Sequence, residues 1–546
     1  MKFDFTASGL TGKGKRVQRF FEILPGATSW FIILGMGILA FFSPILAALI
    51  IIAFYLYWLL KLLYLTIFLV LSYCRLSVEK DTDWMERVNG LDNPEGYLAG
   101  ISSKPLSGKS LNERLSSVIN KKAVKELIRS GADRVRLDDI YHLVIVPIAK
   151  EPEEVVEPGI KSISQSTFPR ERIVVVLALE ERASEEVKSG ALRIKEHFGA
   201  SFKDIFIVTH PDGIVGEARA KGANTTYASK KAAEYFTGKG IAFENVIASC
   251  FDSDTVATLQ YFACLTYHFM ISPNRLRASF QPVPVYNNNI WDAPGITRVL
   301  ETGSSFFQLI ESTNTQTLVT FSSHSMSFKA LTEVGYWPVD MISDDSAIYW
   351  KSLIHYDGDY KVIPMYVTLS MDAVTADTWW KTVKNVYKQR RRWAWGVENF
   401  PIVMRAFLQK SNISKSLRVK TAFKLFEGHI SWTTWAFLLS IVGWLPALFA
   451  TKDYSHTVAY YSIPRMTGVI FHLASISLIV SIILSLMLLP PNKGKLTFLM
   501  RVGYALQWLL MPFTIIFLSA LPALDAQTRM MFAKYMTFWV TDKGRK

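Results

Sequence analysis

The sequence predicts an α/β domain with a mostly parallel sheet, inserted between membrane-spanning helices. Near the middle of the chain, continuous apolar runs of strand length alternate with helical patterns, which is typical of a parallel sheet covered on both faces. On either side lie apolar runs close to or above the roughly 20 residues that a helix needs to cross a bilayer. Half of the 546 residues are apolar and the mean hydropathy is +0.20, which is too apolar for an ordinary soluble enzyme.

The charge and cysteine content narrow the class of protein. The chain carries 60 Lys and Arg against 46 Asp and Glu, a formal charge of +14. A basic excess suits nucleic acid or positive cytoplasmic loops, and the apolar runs favour the loops. The 3 cysteines cannot form a disulfide framework and lack metal-ligand spacing. We therefore expect an integral protein of the plasma or inner membrane, with its middle domain in the reducing cytoplasm.

The N-terminal part predicts a helical hairpin in the membrane. Residues 1–27 carry a basic cluster and form a cytoplasmic segment by the positive-inside rule. Residues 28–73 are about twice the length of one crossing and are interrupted at Pro44, so we expect helices at 28–43 and 46–73. Residues 74–139 then form a mixed, charged cytoplasmic connection.

The domain at 140–370 begins with four strand-length apolar runs. They read YHLVIVPIA, ERIVVVLAL, KDIFIVTH and NVIASC. ASEEVKSGALRIKEHFG separates the second run from the third and places Val187, Ala191, Ile194 and Phe198 on one helical face. KGANTTYASKKAAEYFTGKG precedes the fourth run and predicts another helix. The order β-α-β-α-β is the nucleotide-binding arrangement.

The C-terminal part returns to the membrane. Residues 371–428 predict interfacial helices, with Trp379, Val383 and Val386 on one face. Residues 429–524 predict three or four membrane helices from the apolar runs 429–450, 468–489 and 496–524. Residues 525–546 form a basic tail. The charge pattern leaves five or six crossings open.

Acidic residues follow three of the four predicted strands. Glu151 follows the first, Glu180 and Glu181 end the second, and Asp252 and Asp254 follow the fourth. Ligands of open parallel sheets bind at the carboxyl ends of the strands. In an extended segment, Asp252 and Asp254 point to the same side and can hold a hard divalent cation. A solvated Asp-Ser-Asp turn is the alternative, and the strand context favours the cation site.

Two further stretches carry candidate chemistry. Asp344 and Asp345 precede an apolar helical pattern, where they are either favourable charges at a helix start or a source of a general base. Lys221 and Asn224 lie near another helix start, which suits an anionic group, although a plain amphipathic helix explains them equally well.

Five motifs taken together resemble a known family. VPIAKEP, KGAN, FDSDT, SDDS and QRRRW, in this order and spacing, resemble the membrane-integrated family 2 glycosyltransferases, which include the cellulose, chitin and hyaluronan synthases. The resemblance covers about 140–400. It implies a GT-A-like nucleotide-sugar-binding domain at 140–370, followed by interfacial helices that carry a QxxRW motif.

The resemblance also implies roles for particular residues. Asp252 would contact the nucleotide diphosphate, Asp254 would bind Mg²⁺ or Mn²⁺, and Asp345 would be the general base. The nucleotide-sugar-binding positions would be Glu151, Glu180 or Glu181, Lys221 and Asp252, and the diphosphate and acceptor positions Gln389, Arg392 and Trp393. EERA departs from the aspartates usual at the second strand end. Arg390 and Arg391 are expected to be surface charge near lipid headgroups.

The activity implied is an inverting hexosyl transfer from a nucleotide sugar, expected to be a UDP-sugar, to a growing polysaccharide. The products would be β-linked and translocated, and the expected partners are the donor, a glycan or lipid acceptor and membrane lipids, with no nucleic acid. A transferase that adds one sugar to a lipid is the alternative within the enzyme class. A non-catalytic scaffold or transporter is less favoured because the predicted spans hold few ionisable residues.

Overall fold

A computed structural model describes residues 3–6, 8–103, 109–410, 412–450, 452–490 and 497–539. The last residues of the predicted basic tail, 540–546, and the loop 491–496 lie outside the described residues.

The N-terminal hairpin consists of two long helices, α1 (Gly12–Phe42) and α2 (Pro44–Glu79). Both are longer than their apolar runs because helix-compatible residues extend each one beyond the bilayer length. Ser43 and Pro44 separate them, as predicted, since proline cannot continue a preceding helix but suits a helix start. Three shorter helices follow: α3 (Trp84–Gly90), α4 (Pro94–Ser103) and α5 (Leu111–Ser130).

The middle domain contains one eight-stranded mixed sheet. Its strands are β1 (Tyr141–Ile148), β2 (Ile173–Glu180), β3 (Asp204–His210), β4 (Val246–Cys250), β5 (Val256–Ala257), β6 (Ala278–Tyr286), β7 (Ser325–Ser327) and β8 (Lys361–Met371). The spatial order is β3-β2-β1-β4-β7-β6-β8-β5. Pairings among β3, β2, β1 and β4 are parallel, and so is β6 with β8. The pairings that β5 and β7 make are antiparallel.

The first four strands and the fold class agree with the sequence prediction. The second half of the sheet was not predicted strand by strand, because prolines at 282, 284 and 364 interrupt β6 and β8. Side chains alternate between two cores: Val144 and Val146 face one, whereas Leu143 and Ile145 face the other. The helices around the sheet are α6 (Glu153–Ser164), α7 (Glu185–Phe198), α8 (Lys221–Gly238), α9 (Tyr261–Ile271), α10 (Gly295–Ser312), α11 (Phe328–Glu333) and α12 (Asp344–His355).

After β8, the remaining regular elements of the described chain are helices. It comprises α13 (Trp379–Ala394), α14 (Asn399–Gln409), α15 (Lys415–Ser440), α16 (Leu445–Leu448), α17 (Lys452–Ser455), α18 (Val458–Leu488), α19 (Phe498–Leu506), α20 (Met511–Ile515) and α21 (Leu521–Met531). By length and composition, 4 helices of the described chain could cross a membrane, or up to 5 if the bent pair Lys415–Ser440 and Val442–Leu448 is one crossing. Residues Phe498–Met531 count as one of these candidates.

The chain order places a cleft beside β1. The chain moves from β1 to β2 and β3 on one side, then returns to place β4 on the other side of β1. At such a switch point, the loops after neighbouring strands diverge and leave a crevice at the carboxyl edge. The predicted acidic residues follow β1, β2 and β4, so they lie around this crevice.

Candidate active site

One cavity at this edge brings together nine of the residues that the sequence singled out. They are Glu151, Glu180, Lys221, Asp252, Asp254, Asp345, Gln389, Arg392 and Trp393, and each lines the cavity. They come from strand ends, from the starts of α8 and α12, and from α13, segments that are separated by up to 242 positions in the numbering. The convergence is an observation; the role of each residue stays a prediction.

Lys221 is at the centre of the polar wall. Its Nζ donates to Asp252 Oδ1 at 2.7 Å and to Asp345 Oδ1 and Oδ2 at 2.8 and 3.1 Å. Burial alone would lower the pKa of the Lys221 ammonium, but the two carboxylates outweigh it and hold that pKa well above its usual range. Lys221 therefore stays charged and joins the loop after β4 to the start of α12.

The Asp252–Asp254 pair lies in a turn rather than in the predicted extended segment. The Thr255 amide donates to the Asp252 carbonyl at 2.9 Å, which closes the turn. Asp252 also accepts from the Ser322 hydroxyl, while Asp254 Oδ2 accepts from the Asp372 amide at 2.9 Å. Both aspartates nevertheless line the same cavity.

Asp344 and Asp345 occupy the first turn of α12 but have different environments. Asp344 is 3% exposed, and burial together with the neighbouring Asp345 raises its pKa from 3.8 to about 8. Among the described residues, Asp344 Oδ2 has no hydrogen-bond partner. Asp345 instead faces Lys221, and its Oδ1 lies 3.8 Å from Nδ1 of the fully buried His324. Burial lowers the pKa of His324, which favours a neutral ring.

The strand-end glutamates are held differently. Glu151 Oε2 accepts from the backbone amides of Ala149 and Lys150 at 2.8 and 2.9 Å. Glu180 pairs with Arg182 and lines the cavity, whereas Glu181 accepts from the Asp212 amide and lies outside the lining. Of the two adjacent glutamates, Glu180 is the one that lines the cavity.

Asn224, near the helix start that the sequence suggested for an anionic group, uses its side-chain amide within the fold. Its Nδ2 donates to the Ala178 carbonyl at 2.7 Å, so its amide group attaches α8 to β2. The side-chain donor is used within the fold, although the residue still contributes to the cavity wall.

The QxxRW residues give the cavity an aromatic and basic part. The Trp393 ring lies 5.6 Å from Tyr286 and 5.8 Å from Phe321, centroid to centroid. The Arg392 guanidinium lies 4.9 Å from the Phe538 ring centroid. Gln389 is 5% exposed, and its Oε1 has no hydrogen-bond partner in the described part of the chain. A flat ring beside an available amide oxygen suits a sugar, which offers an apolar face and hydroxyl donors.

Arg390 is not the surface charge that the sequence suggested. It is 6% exposed, its NH2 lies 2.9 Å from Oε2 of the fully buried Glu301, and its guanidinium lies 4.5 Å from the Trp393 ring centroid. Arg391 pairs with Asp525 of α21 at 2.8 Å. Both arginines were mispredicted because helical periodicity alone does not show which helices α13 packs against.

Several lining residues were missed. Asp372 directly follows β8, so the strand-end rule that found Asp252 would have found it had β8 been predicted. Tyr286 and Phe538 also line the cavity, and no local signal in the sequence indicated them. Phe538 belongs to the predicted basic tail, which passes beside α13.

The arrangement of the carboxylates can be compared with what the predicted divalent metal ion requires. Within the described residues, no group of three or more His, Cys, Asp or Glu side chains forms a metal-binding cluster. Mg²⁺, however, is often held by one or two carboxylates together with substrate phosphates. The oxygen donors of Asp252 and Asp254 fit that mode, and a fixed protein cage is not what such an ion needs.

Comparisons with known proteins find partial similarity only. No family model matches the chain. Over 146 residues, 25% of the chain, it is 28% identical to poly-β-1,6-N-acetyl-D-glucosamine synthase of Staphylococcus epidermidis, and it covers 32% of that protein's length. The match thus spans about a third of the curated relative.

Among solved structures, a mannosyltransferase of Pyrobaculum calidifontis in complex with GDP-Man and Mn²⁺ has a TM-score of 0.41 at 15% identity, covering 83% of this chain and 100% of that one. TarS 1–349 of S. aureus in complex with UDP-GlcNAc has a TM-score of 0.31 at 11% identity, covering 62% and 90%.

Proposed function

We propose that this protein is a membrane glycosyltransferase that moves a sugar from a nucleotide sugar to a growing polysaccharide. The observation that carries the proposal is the convergence of nine separated residues on one cavity at the switch point of the sheet. The partial match to a polysaccharide synthase supports the polymeric product. The candidate crossings on both sides of the domain support a membrane location, with the domain in the cytoplasm.

The donor would occupy the crevice with its base near Glu151 and Glu180 and its diphosphate near Lys221 and Asp252. Arg392 also lines the cavity, and an arginine fork can bind two phosphate oxygens at once. A divalent ion held by Asp254 would offset charge on the departing diphosphate. Fixed positive charge in such a site is often the largest catalytic contribution.

Asp345 is the proposed general base. It would take the proton from the acceptor hydroxyl while that oxygen attacks the anomeric carbon and the diphosphate leaves from the opposite side. One displacement inverts the anomeric centre, so an α-linked donor gives a β-linked product. Without donor, Lys221 is bound to both Asp252 and Asp345; a diphosphate would compete for its ammonium and release Asp345 for the acceptor.

Trp393, with Tyr286 and Phe321 beside it, is the proposed acceptor platform. Sugar rings stack on aromatic faces, which orients the hydroxyl without fixing the chain length of the acceptor. Such a platform would serve a growing polymer as well as a single lipid-linked sugar, so product size must be measured.

The test is turnover by the purified protein in lipid nanodiscs. UDP- and GDP-sugars are screened with Mg²⁺, Mn²⁺ or EDTA, beginning with UDP-N-acetylglucosamine because the matched relative is a synthase of an N-acetylglucosamine polymer. We expect metal-dependent release of nucleoside diphosphate and a ladder of labelled products. Release with a product of one added sugar would replace the polymer with a single transfer, and no release with any donor would refute the function.

A further inference from the structure

Glu398, two residues beyond Gly396, connects the two halves of the proposed site. Its Oε1 accepts from the backbone amides of Ile342 and Ser343 at 3.1 and 2.9 Å and from the Ser343 hydroxyl at 2.6 Å. Its Oε2 accepts from Trp395 Nε1 at 2.9 Å. One carboxylate thus receives four hydrogen bonds, three of them from the turn immediately before Asp344 and Asp345.

The neighbouring Asn399 strengthens the same connection. Its Nδ2 lies 3.1 Å from the Ser343 hydroxyl, 3.0 Å from the Ser346 hydroxyl and 3.0 Å from the Gly396 carbonyl. Side chains of Glu398 and Asn399, which lie outside α12, therefore hold the start of that helix. Ser343 is the N-cap residue of α12, yet its side chain does not cap that helix. Its hydroxyl is directed to Glu398 instead, which a serine free to follow local preference would not do.

We propose that Glu398 is a positioning residue for the transfer reaction. It attaches the turn that carries the proposed base, Asp345, to the segment that follows Gln389, Arg392 and Trp393. The base and the acceptor platform then keep a fixed separation when the donor removes Lys221 from Asp345. Glu398 contacts no substrate in this scheme. The inference rests on the proposed function for its catalytic consequence and on the observed hydrogen bonds for its structural one.

The hydrogen bonds require a side chain at position 398 that accepts through both of its terminal atoms. A glutamine offers one acceptor oxygen and one NH₂ group, so Glu398→Gln places two donors against each other wherever the NH₂ meets an N–H. If the oxygen keeps the turn amides, the NH₂ meets the Trp395 N–H. Trp395→Phe removes that N–H. The double variant Trp395→Phe/Glu398→Gln should therefore recover what Glu398→Gln loses.

The experiment has an activity arm and a structural arm. In the activity arm, Glu398→Gln should lower kcat by about 100-fold, the size of effect that a misplacement of roughly 1 Å produces, with little change in the KM for the donor. The double variant should recover at least about tenfold of the loss. Glu79→Gln is the matched control. Glu79 is a buried carboxylate that pairs with two arginines, and it lies at the end of α2, outside the cavity lining. It should lower the unfolding temperature and leave kcat unchanged.

In the structural arm, hydrogen–deuterium exchange reports the amides of Ile342 and Ser343 directly. Their exchange should quicken in Glu398→Gln and slow again in the double variant, whether or not a donor has been identified. Wild-type kcat in a folded Glu398→Gln, or equal defects in the single and double variants in both arms, would overturn the inference. A wild-type protein that turns over no donor refutes the proposed function alone, because the exchange arm still tests the attachment.

Discussion

The two adjacent aspartates at the start of α12 provide the sharpest test of the site. With a pKa of about 8, Asp344 would hold its proton in roughly nine of ten molecules at pH 7. A protonated carboxyl and an amide are both neutral and of similar shape, so Asp344→Asn should cost less than about tenfold in kcat. Asp345 accepts from the Lys221 ammonium and faces the cavity, so Asp345→Asn removes the base and should cost about 10²–10⁴-fold.

The assay measures kcat and donor KM for both variants in nanodiscs, with nucleoside diphosphate affinity by calorimetry as a control for folding. Affinity should survive in Asp345→Asn because Lys221 keeps its contact with Asp252. The reverse order, a severe loss in Asp344→Asn and a mild one in Asp345→Asn, would assign the base to Asp344 and refute the reasoning from burial.

Three further outcomes follow from the contacts. Arg392→Ala should lower kcat by about 10²–10³-fold in a folded protein. Arg390→Ala should instead lower the free energy of unfolding by about 3–5 kcal/mol, because it leaves the buried Glu301 without its arginine. Measurement of kcat and of the unfolding temperature for both variants separates the two roles, and equal effects of the two variants on both readouts would contradict this assignment. Gly222→Ala places a Cβ 2.9 Å from that of Asp344 and should destabilise by about 1–3 kcal/mol with loss of activity, and an unchanged variant would show that α12 can move freely. Folding raises the pKa of Asp344 from 3.8 to about 8, so between those pH values the folded protein holds a proton that the unfolded chain has lost; stability should fall as pH rises through this window, and thermal unfolding of Asp344→Asn should show a shallower decline.

The first four strands and the helices between them were predictable from local pattern. β1 and β2 are continuous apolar runs because both faces of the sheet are covered, and α7 shows its buried face at helical spacing. The strands β5 to β8 were missed because β5 and β7 are only two and three residues long and β6 and β8 contain prolines. Their pairing depends on neighbours that are distant in the sequence, which no local pattern reports.

Some residues of the candidate site were likewise predictable from local pattern, and others depended on packing. Asp252, Asp254 and Glu151 were identified from their position after strands, since a strand end needs only local pattern to be recognised. The choice of Glu180 over Glu181, and the different settings of Asp344 and Asp345, depended on burial, and burial is a property of the packed molecule. Glu398 had no sequence signal because Ile342 and Ser343, which it holds, lie more than 50 positions away.

The arginine cluster of α13 separates most directly what the sequence determines from what the tertiary structure decides. The sequence by itself determined that residues 388–393 are helical, basic and aromatic, because these properties belong to single residues and their spacing. Only the tertiary structure decided that Arg390 enters the protein to meet Glu301 and that Arg391 meets Asp525. Arg392, which the resemblance assigned to the site, lines the cavity. Three adjacent positions on a helix point in directions about 100° apart, so their environments differ as soon as other elements pack around the helix.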